Sequence, residues 1–290
     1  MVADVLALVL LQLAAGLAAC TLLSSSKDLS GGFFALHGVI GSFALCLSWL
    51  VSGHGGLLLR REEGIAAVQT ASAALVAKPW FAGTLFAVAL WALVAHTLLA
   101  RTSSAALLAL SRNLLFISAC SGVALLVSRV KVEPFVSLAG IGPIWLAAGL
   151  LLGALLFGAV VWAMNLGHWY LVSTSLPFGL LVRATEVFAL LVLARAAFAL
   201  VALGWAARLS AGPANEALAN LLDPMRDGFF FWSRVAWGLL APLILAPFVV
   251  KTARMKSNQA ATGLLYVGLV FVLVGELLAA YLTRRSGLPV

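Results

Sequence analysis

The chain has 290 residues, of which 63% are hydrophobic and only 10% are charged. Its mean hydropathy of +1.12 lies far outside the range of soluble globular domains, which excludes that class and predicts an integral membrane protein. The net charge of +8 does not indicate a nucleic-acid partner, because the basic residues lie in short loops and inside apolar runs rather than on one face.

Eight apolar runs are long enough, at about 20 residues each, to cross the hydrocarbon core as helices. They lie near residues 3–24, 31–51, 81–100, 105–127, 139–164, 176–207, 229–250 and 260–282. Backbone groups cannot stay unpaired in lipid, and these runs lack the alternation of a barrel strand. The sequence therefore predicts an all-α polytopic bundle of eight transmembrane helices with short loops, which forms a single membrane domain over residues 1–290.

Two connections between the runs are predicted to contain short helices. Gly64–Ala77 is apolar enough to lie along the membrane interface, and Ala214–Leu222 is bounded by Pro213 and Pro224. No connection is long enough to house a soluble domain, so any water-soluble chemistry would have to come from partner proteins.

Lysine and arginine are distributed unevenly between the two sides of this bundle. The side that holds both termini carries nine of them, and the other side carries five. The nine are Arg60, Arg61, Lys78, Arg129, Lys131, Arg208, Arg226, Arg284 and Arg285, and the five are Lys27, Arg101, Lys251, Arg254 and Lys256. Basic residues accumulate on the cytoplasmic side, so we expect a bacterial-type inner membrane protein with both termini in the cytoplasm.

The three cysteines do not indicate a zinc or iron–sulfur site. Cys20, Cys46 and Cys120 lie within apolar runs and form no CxxC pair. We expect them to be small buried hydrophobic residues.

Three of the four histidines are predicted to lie at one end of the bundle. His37 is a few residues into the second run, His96 is near the end of the third, and His168 follows the fifth. Arg112 in the fourth run and Arg183 in the sixth are predicted to lie near the same side of the membrane as the histidines. Glu186 is predicted to lie on the same helix face as Arg183, one helical turn further into the membrane. Intramembrane charges are expensive, at about 2.5–3.5 kcal/mol per residue on insertion scales, so this group of residues is a candidate site.

Two interpretations of this group stay open. In the structural one, Arg183 and Glu186 form an ion pair and backbone carbonyls satisfy the histidines. In the functional one, His37 and His96 are axial ligands of a haem b iron. Arg112 and Arg183 would then pair with the haem propionates, while Glu186 or His168 would exchange protons with a quinone.

Small residues accompany two of the histidines at helical spacing, which also has two interpretations. Such stripes usually let helices approach closely, but small neighbours beside axial ligands would also accommodate a flat macrocycle. The stripes are His37, Gly41, Ala44 and Ser48 in the second run, and Ala89, Ala92, His96 and Ala100 in the third. Gly149 and Gly153 in the fifth run are expected to serve helix packing.

A second charged pair is predicted between the last two runs. Arg234 and Glu276 are expected at similar depth near the terminal side, either as a structural clamp or as part of a proton path. Arg195 lies deep in the sixth run, on the face opposite Glu186, and is expected to find its partner in a lipid or another subunit.

The chain resembles the eight-helix membrane anchor subunits of bacterial molybdopterin oxidoreductases, of the dimethyl sulfoxide reductase and polysulfide reductase type. The resemblance rests on length, helix number, short loops and the segment Leu273-Val274-Gly275-Glu276-Leu277-Leu278. The chain has Ala279 and Ala280 where that family has an arginine soon after the glutamate. The resemblance implies a subunit that anchors catalytic partners and exchanges electrons and protons with quinones.

Three functions are compatible with the sequence. The first is a membrane subunit of a respiratory redox complex, at most its quinone-reactive part, which works with other subunits and with lipids. The second is a transporter or channel in which the arginine, glutamate and histidine cluster binds a small anionic solute. The third is a non-catalytic assembly subunit.

Overall fold

A computed structural model describes residues 2–24, 29–52, 79–102, 104–128, 142–173, 176–177, 179–208 and 213–290. Nine helices and no strands lie within these ranges, so the predicted all-α bundle is confirmed. The helices are α1 Val2–Thr21, α2 Gly31–Val51, α3 Pro79–Leu99, α4 Ala105–Ser128, α5 Gly142–Val172, α6 Gly179–Arg208, α7 Pro213–Leu222, α8 Pro224–Arg254 and α9 Asn258–Ser286. All except α7 are long and apolar enough to span a membrane.

The short helix α7 confirms the prediction of a helix between two prolines, Pro213 and Pro224. The predicted interfacial helix at Gly64–Ala77 lies outside the described residues.

Helices α1 and α5 form the centre of the bundle. Helix α1 packs against α2, α4, α5 and α9, and α5 also packs against α6 and α9. The two central helices touch at Gly16 and Gly158, where a Cβ atom on either glycine would overlap the backbone of the other helix. Glycine therefore permits the close crossing around which the remaining helices are arranged.

Ion pairs join the helix ends on one side of the bundle. Asp4 at the start of α1 lies 3.3 Å from Arg284 at the end of α9, and Asp227 near the start of α8 lies 3.3 Å from Arg285. We call this the terminal end and the other the opposite end. The start of α1, the start of α8 and the end of α9 are therefore adjacent, while the sides of the termini and the membrane type remain predictions.

Helix α8 is kinked near its start at Arg226, whose φ of −114° and ψ of −108° are not helical, and it contains a π-helical stretch at Arg234–Leu240. A π turn widens the helix and leaves carbonyl groups without their usual partners. One of these carbonyls, that of Gly238, accepts a hydrogen bond of 2.8 Å from Arg234 Nη1. The distortion therefore helps to hold the Arg234 guanidinium in place.

Helix α5 is longer than the sequence predicts, since it ends at Val172 rather than near residue 164. Its polar last turns are stabilised by tertiary contacts: Tyr170 donates a hydrogen bond to the Pro177 carbonyl, and Gly167 packs against Thr262. As a result, His168 lies inside the helix and not after it.

The expectation for the cysteines holds at one position only. Cys20 is buried, but Cys46 and Cys120 lie on the exposed surface of their helices. The sequence alone could not distinguish the lipid-facing side of these uniformly apolar helices from the buried side.

Candidate functional site

His37 and His96 are both buried, at 2% and 1% exposure, and both are held by the bundle itself. His37 Nδ1 donates to the Phe33 carbonyl at 2.8 Å, and its Nε2 lies 3.5 Å from Asn165 Nδ2 on α5. His96 Nδ1 lies 2.9 Å from the Ser111 carbonyl and 2.8 Å from Ser111 Oγ on α4. His96 Nε2 is buried without a hydrogen-bond partner among the described residues.

The space between these histidines does not fit a haem. A Cβ atom on Gly38 would overlap Thr97 Oγ1 and would lie 3.3 Å from His96 Cδ2, so α2 and α3 are in direct contact. His37 Nε2 meets Asn165 of α5 rather than a gap facing His96. We therefore derive no chemistry through a haem, and haem b remains a prediction from the sequence.

The two small-residue stripes are buried along their whole lengths, as helix packing requires. Ser48 Oγ donates to the Ala7 carbonyl at 2.7 Å, and Ser118 Oγ donates to the Ala89 carbonyl at 3.1 Å. The buried stripe residues are His37, Gly41, Ala44, Ser48, Ala89, Ala92, His96 and Ala100. Each stripe thus faces a neighbouring helix.

The other predicted site residues share the end of the bundle with the histidines but do not join them. His168, Arg112 and Arg183 have exposed side chains. Glu186 pairs with Arg254 of α8, at 2.6 Å between Oε1 and Nη2, rather than with Arg183. The predicted Arg183–Glu186 pair is therefore wrong, because Arg254 approaches from a neighbouring helix whose position the local spacing does not reveal.

A different cluster occupies the interior of the bundle. Glu276 Oε1 accepts from Arg195 Nε at 3.1 Å and from Arg234 Nη2 at 3.4 Å. All three side chains are buried, with at most 3% of each residue exposed. The predicted pairing of Arg234 with Glu276 is confirmed, whereas the expectation that Arg195 finds its partner outside the chain is wrong.

Gln12 and Gly153 complete the surroundings of Glu276. A Cβ atom on Gly153 would lie 2.6 Å from Gln12 Nε2 and would overlap Glu276 Oε2. Gln12 Nε2 also donates to the Leu150 carbonyl at 3.2 Å. Gly153 thus accommodates the polar side chains of Gln12 and Glu276, whereas Gly149 accommodates the apolar side chains of Phe198 and Pro289.

Several polar atoms of this cluster have no hydrogen-bond partner among the described residues. They are Arg195 Nη1, Arg234 Nε and Gln12 Oε1. Arginine stays protonated in proteins, so the two guanidiniums share the Glu276 carboxylate, and Arg195 Nη2 also donates to the main-chain oxygen of Val290 at 2.9 Å. Buried guanidiniums are costly in a medium of low dielectric constant when some of their donors have no partner.

The cluster lies close to the midpoints of its helices. Arg195, Arg234, Glu276 and Gln12 are each within about 8 Å of the centre of their helix along its axis, at 1.5 Å per residue. Arg234 and Glu276 lie five and four residues from the midpoints of α8 and α9, both toward the terminal end, so their predicted placement near that side at similar depth is confirmed.

A narrow recess beside the cluster has a cavity volume of about 10 Å³, which is room for about one water molecule. Arg195, Glu276 and Gln12 contribute its polar wall. The remaining wall is mostly apolar and is formed by Leu146, Gly149, Leu150, Ala279, Ala280, Thr283 and Pro289. Ala279 and Ala280 are small side chains beside this space, and Arg195 of α6 and Arg234 of α8 reach Glu276.

Two sequence signals pointed to this site. Gln12 interrupts an otherwise apolar α1, and Arg195 lies at the middle of its span, where an intramembrane charge needs a partner.

Within the described ranges, histidine, cysteine and carboxylate side chains form no group of three that could hold a metal ion. Compared with known proteins, the chain matches no family model, no curated protein and no solved structure.

Proposed function

We propose that this protein carries a small anion across the membrane and holds it beside Arg195 and Arg234. The observation that supports this proposal best is the sharing of one buried carboxylate, that of Glu276, by two buried guanidiniums. A bound anion would accept hydrogen bonds from Arg195 Nη1 and Arg234 Nε, which have no hydrogen-bond partner among the described residues.

The position of the cluster also supports transport. Transporters bind their substrates near the bilayer midplane, often beside helices whose regular hydrogen bonding is interrupted there. The Arg195–Glu276–Arg234 cluster lies near the helix midpoints, and Arg234 begins a π-helical stretch of α8. A locally irregular helix is easier to rearrange than a regular one, as alternating access to the two sides of a membrane requires.

Anion flux through liposomes tests this proposal. Purified protein would be reconstituted, and efflux of radioactive chloride, pyruvate and phosphate would be measured. We expect protein-dependent efflux of at least one of these anions and its loss in Arg195→Gln. Arg208→Gln is the matched control, because Arg208 lies on the same helix with an exposed side chain. Efflux that is unaffected by Arg195→Gln would overturn the proposal.

A second candidate is the membrane subunit of a respiratory redox complex that exchanges protons with quinone. It is supported by the group at the opposite end, where His168 and Arg183 are exposed and Glu186 is half-buried, within reach of a lipid-soluble ligand. Partner subunits would carry the redox cofactors. In this function the Arg234–Glu276 pair would belong to a proton path toward the terminal end.

Two measurements test the second candidate. A reduced-minus-oxidised visible spectrum of the purified protein, with His96→Ala as the comparison, shows whether this chain ligates haem b. Purification in mild detergent should recover partner subunits with quinone activity. Normal quinone turnover in both Glu186→Gln and Arg183→Gln would exclude this group as the quinone site.

A further inference from the structure

We propose that the lipid-facing seam between α6 and α8, at the opposite end of the bundle, binds the headgroup of an anionic phospholipid. The cations that hold this headgroup are Arg183, Lys251 and Arg254, which lie around the carboxylate of Glu186. The seam is separate from the interior cluster of arginines and Glu276, so lipid binding there does not depend on the transport of an anion.

An exposed ion pair marks the place where the seam meets the surrounding membrane. Glu186 Oε1 of α6 lies 2.6 Å from Arg254 Nη2 of α8, and the two side chains are 43% and 64% exposed. Helices α6 and α8 pack against each other. A pair that joins them and is still exposed must lie at the outer edge of their contact, which faces the lipid.

Arg183 and Lys251 lie at similar depth on the two sides of this seam. A Cβ atom on Gly268 would lie 3.4 Å from both Phe188 of α6 and Leu245 of α8, so these two residues are level with each other. Arg183 is five residues from Phe188 and Lys251 is six residues from Leu245, which is about 8 Å and about 9 Å toward the opposite end. Both cations are within about 6 Å of their helix ends, at the depth of the headgroup layer.

The charges at the seam favour an anionic headgroup. Arg183 and Lys251 are exposed, and neither side chain makes an ion pair with a described residue. Glu186 compensates only one of the three cations, so two positive charges remain among the described residues of the seam. Arginine and lysine form charge-assisted hydrogen bonds with phosphate oxygens.

The helix surfaces below these cations favour a lipid over a soluble phosphate. Leu190 lies two turns deeper than Arg183 on the same face of α6, and Phe248 and Ile244 lie one and two turns deeper than Lys251 on α8. All three apolar side chains are more than half exposed. An acyl chain can pack along them while its phosphate contacts the cations, whereas a soluble anion gains nothing from them.

Lipid binding to the purified full chain in detergent tests the inference. Native mass spectrometry would count bound phosphatidylglycerol and phosphatidylcholine, each added at the same concentration. We expect phosphatidylglycerol to bind at least about tenfold more tightly, and its affinity to fall about fivefold in Arg183→Gln and about fivefold in Lys251→Gln. Arg183→Lys keeps the charge and should keep the binding.

Arg112→Gln is the matched control, because Arg112 is an exposed arginine at the same end of the bundle on α4, which packs against α1 and α3. Equal binding of the two lipids, or an equal loss in Arg112→Gln, would overturn the site. Inorganic phosphate that displaces phosphatidylglycerol at an equal concentration would assign the cations to a soluble anion. A short-chain quinone that does so would assign them to the second candidate function, and in either case the lipid assignment fails.

Discussion

Two glutamates within spanning helices show how burial changes the contribution of an ion pair to stability. Glu186 pairs with Arg254 at 2.6 Å, but both side chains are more than 40% exposed. Glu276 contacts Arg195 and Arg234 at longer distances, yet all three side chains are almost completely buried. Exposed pairs contribute about 0–1 kcal/mol, whereas breaking a buried pair costs about 3–5 kcal/mol. The distances alone would assign the larger contribution to stability to the exposed Glu186–Arg254 pair, which is the weaker of the two.

We therefore expect Glu276→Gln to lower the free energy of unfolding by about 3–5 kcal/mol, because it leaves two buried guanidiniums without a counter-charge. Glu186→Gln removes the same charge from an exposed pair and should change that free energy by no more than about 1 kcal/mol. Reversible unfolding in mixed micelles measures both variants. Equal losses in the two variants would show that the Arg195–Glu276–Arg234 cluster does not stabilise the bundle.

The contact between α8 and α9 determines whether Arg234 reaches Glu276. A Cβ atom on Gly275 would lie 2.6 Å from Gly238 Cα and 2.7 Å from Arg234 Nη1. No larger residue fits at this crossing unless the helices separate. Gly275 adjoins Glu276 in sequence, so the same helix turn provides both the close approach and the charge.

Gly275→Ala should push α8 away from α9, lower the free energy of unfolding by about 1–3 kcal/mol and weaken anion binding. Gly263→Ala on the same helix is the control, since nothing lies within 4 Å of its Cβ position. There alanine should be neutral or stabilise the helix by about 0.5–1 kcal/mol. Thermal unfolding measures the stability effect, and anion efflux from liposomes measures the effect on the site. Unchanged efflux in Gly275→Ala would contradict the role assigned to this crossing.

Hydropathy predicted the eight spanning helices because each must satisfy its backbone internally, which is a local property of the chain. It did not predict that α5 continues to Val172, since that extension depends on contacts of Gly167 and Tyr170 with distant residues. The partner of Arg195 was missed for a related reason. Glu276 is 81 residues away, and the rotation that turns the two side chains toward each other is not encoded in either helix alone.

At the scale of the whole molecule, the ion pairs Asp4–Arg284 and Asp227–Arg285 place the starts of α1 and α8 at the terminal end. Met225 lies at that end and Met255 at the opposite end, and both side chains are exposed. Cysteines at these positions should therefore react with a membrane-impermeant thiol reagent from different sides of the membrane.

The labelling experiment requires a background in which Cys20, Cys46 and Cys120 are replaced by alanine. In sealed inside-out and right-side-out vesicles, Met225→Cys should react from the cytoplasmic side, as the distribution of basic residues predicts. Met255→Cys should react from the other side. Reaction of both from one side would contradict the eight-span topology, and a reversed pattern would contradict only the predicted orientation.

The central claim is that the interior cluster of Arg195, Glu276 and Arg234 holds an anion. The most direct test is the anomalous scattering of crystals grown with sodium bromide, because it locates a bound bromide ion without reference to activity. The account predicts an anomalous peak within hydrogen-bonding distance of the Arg195 or Arg234 guanidinium, and no such peak in crystals of Arg195→Gln. Bromide found only at the exposed helix ends, or an unchanged peak in Arg195→Gln, would contradict it.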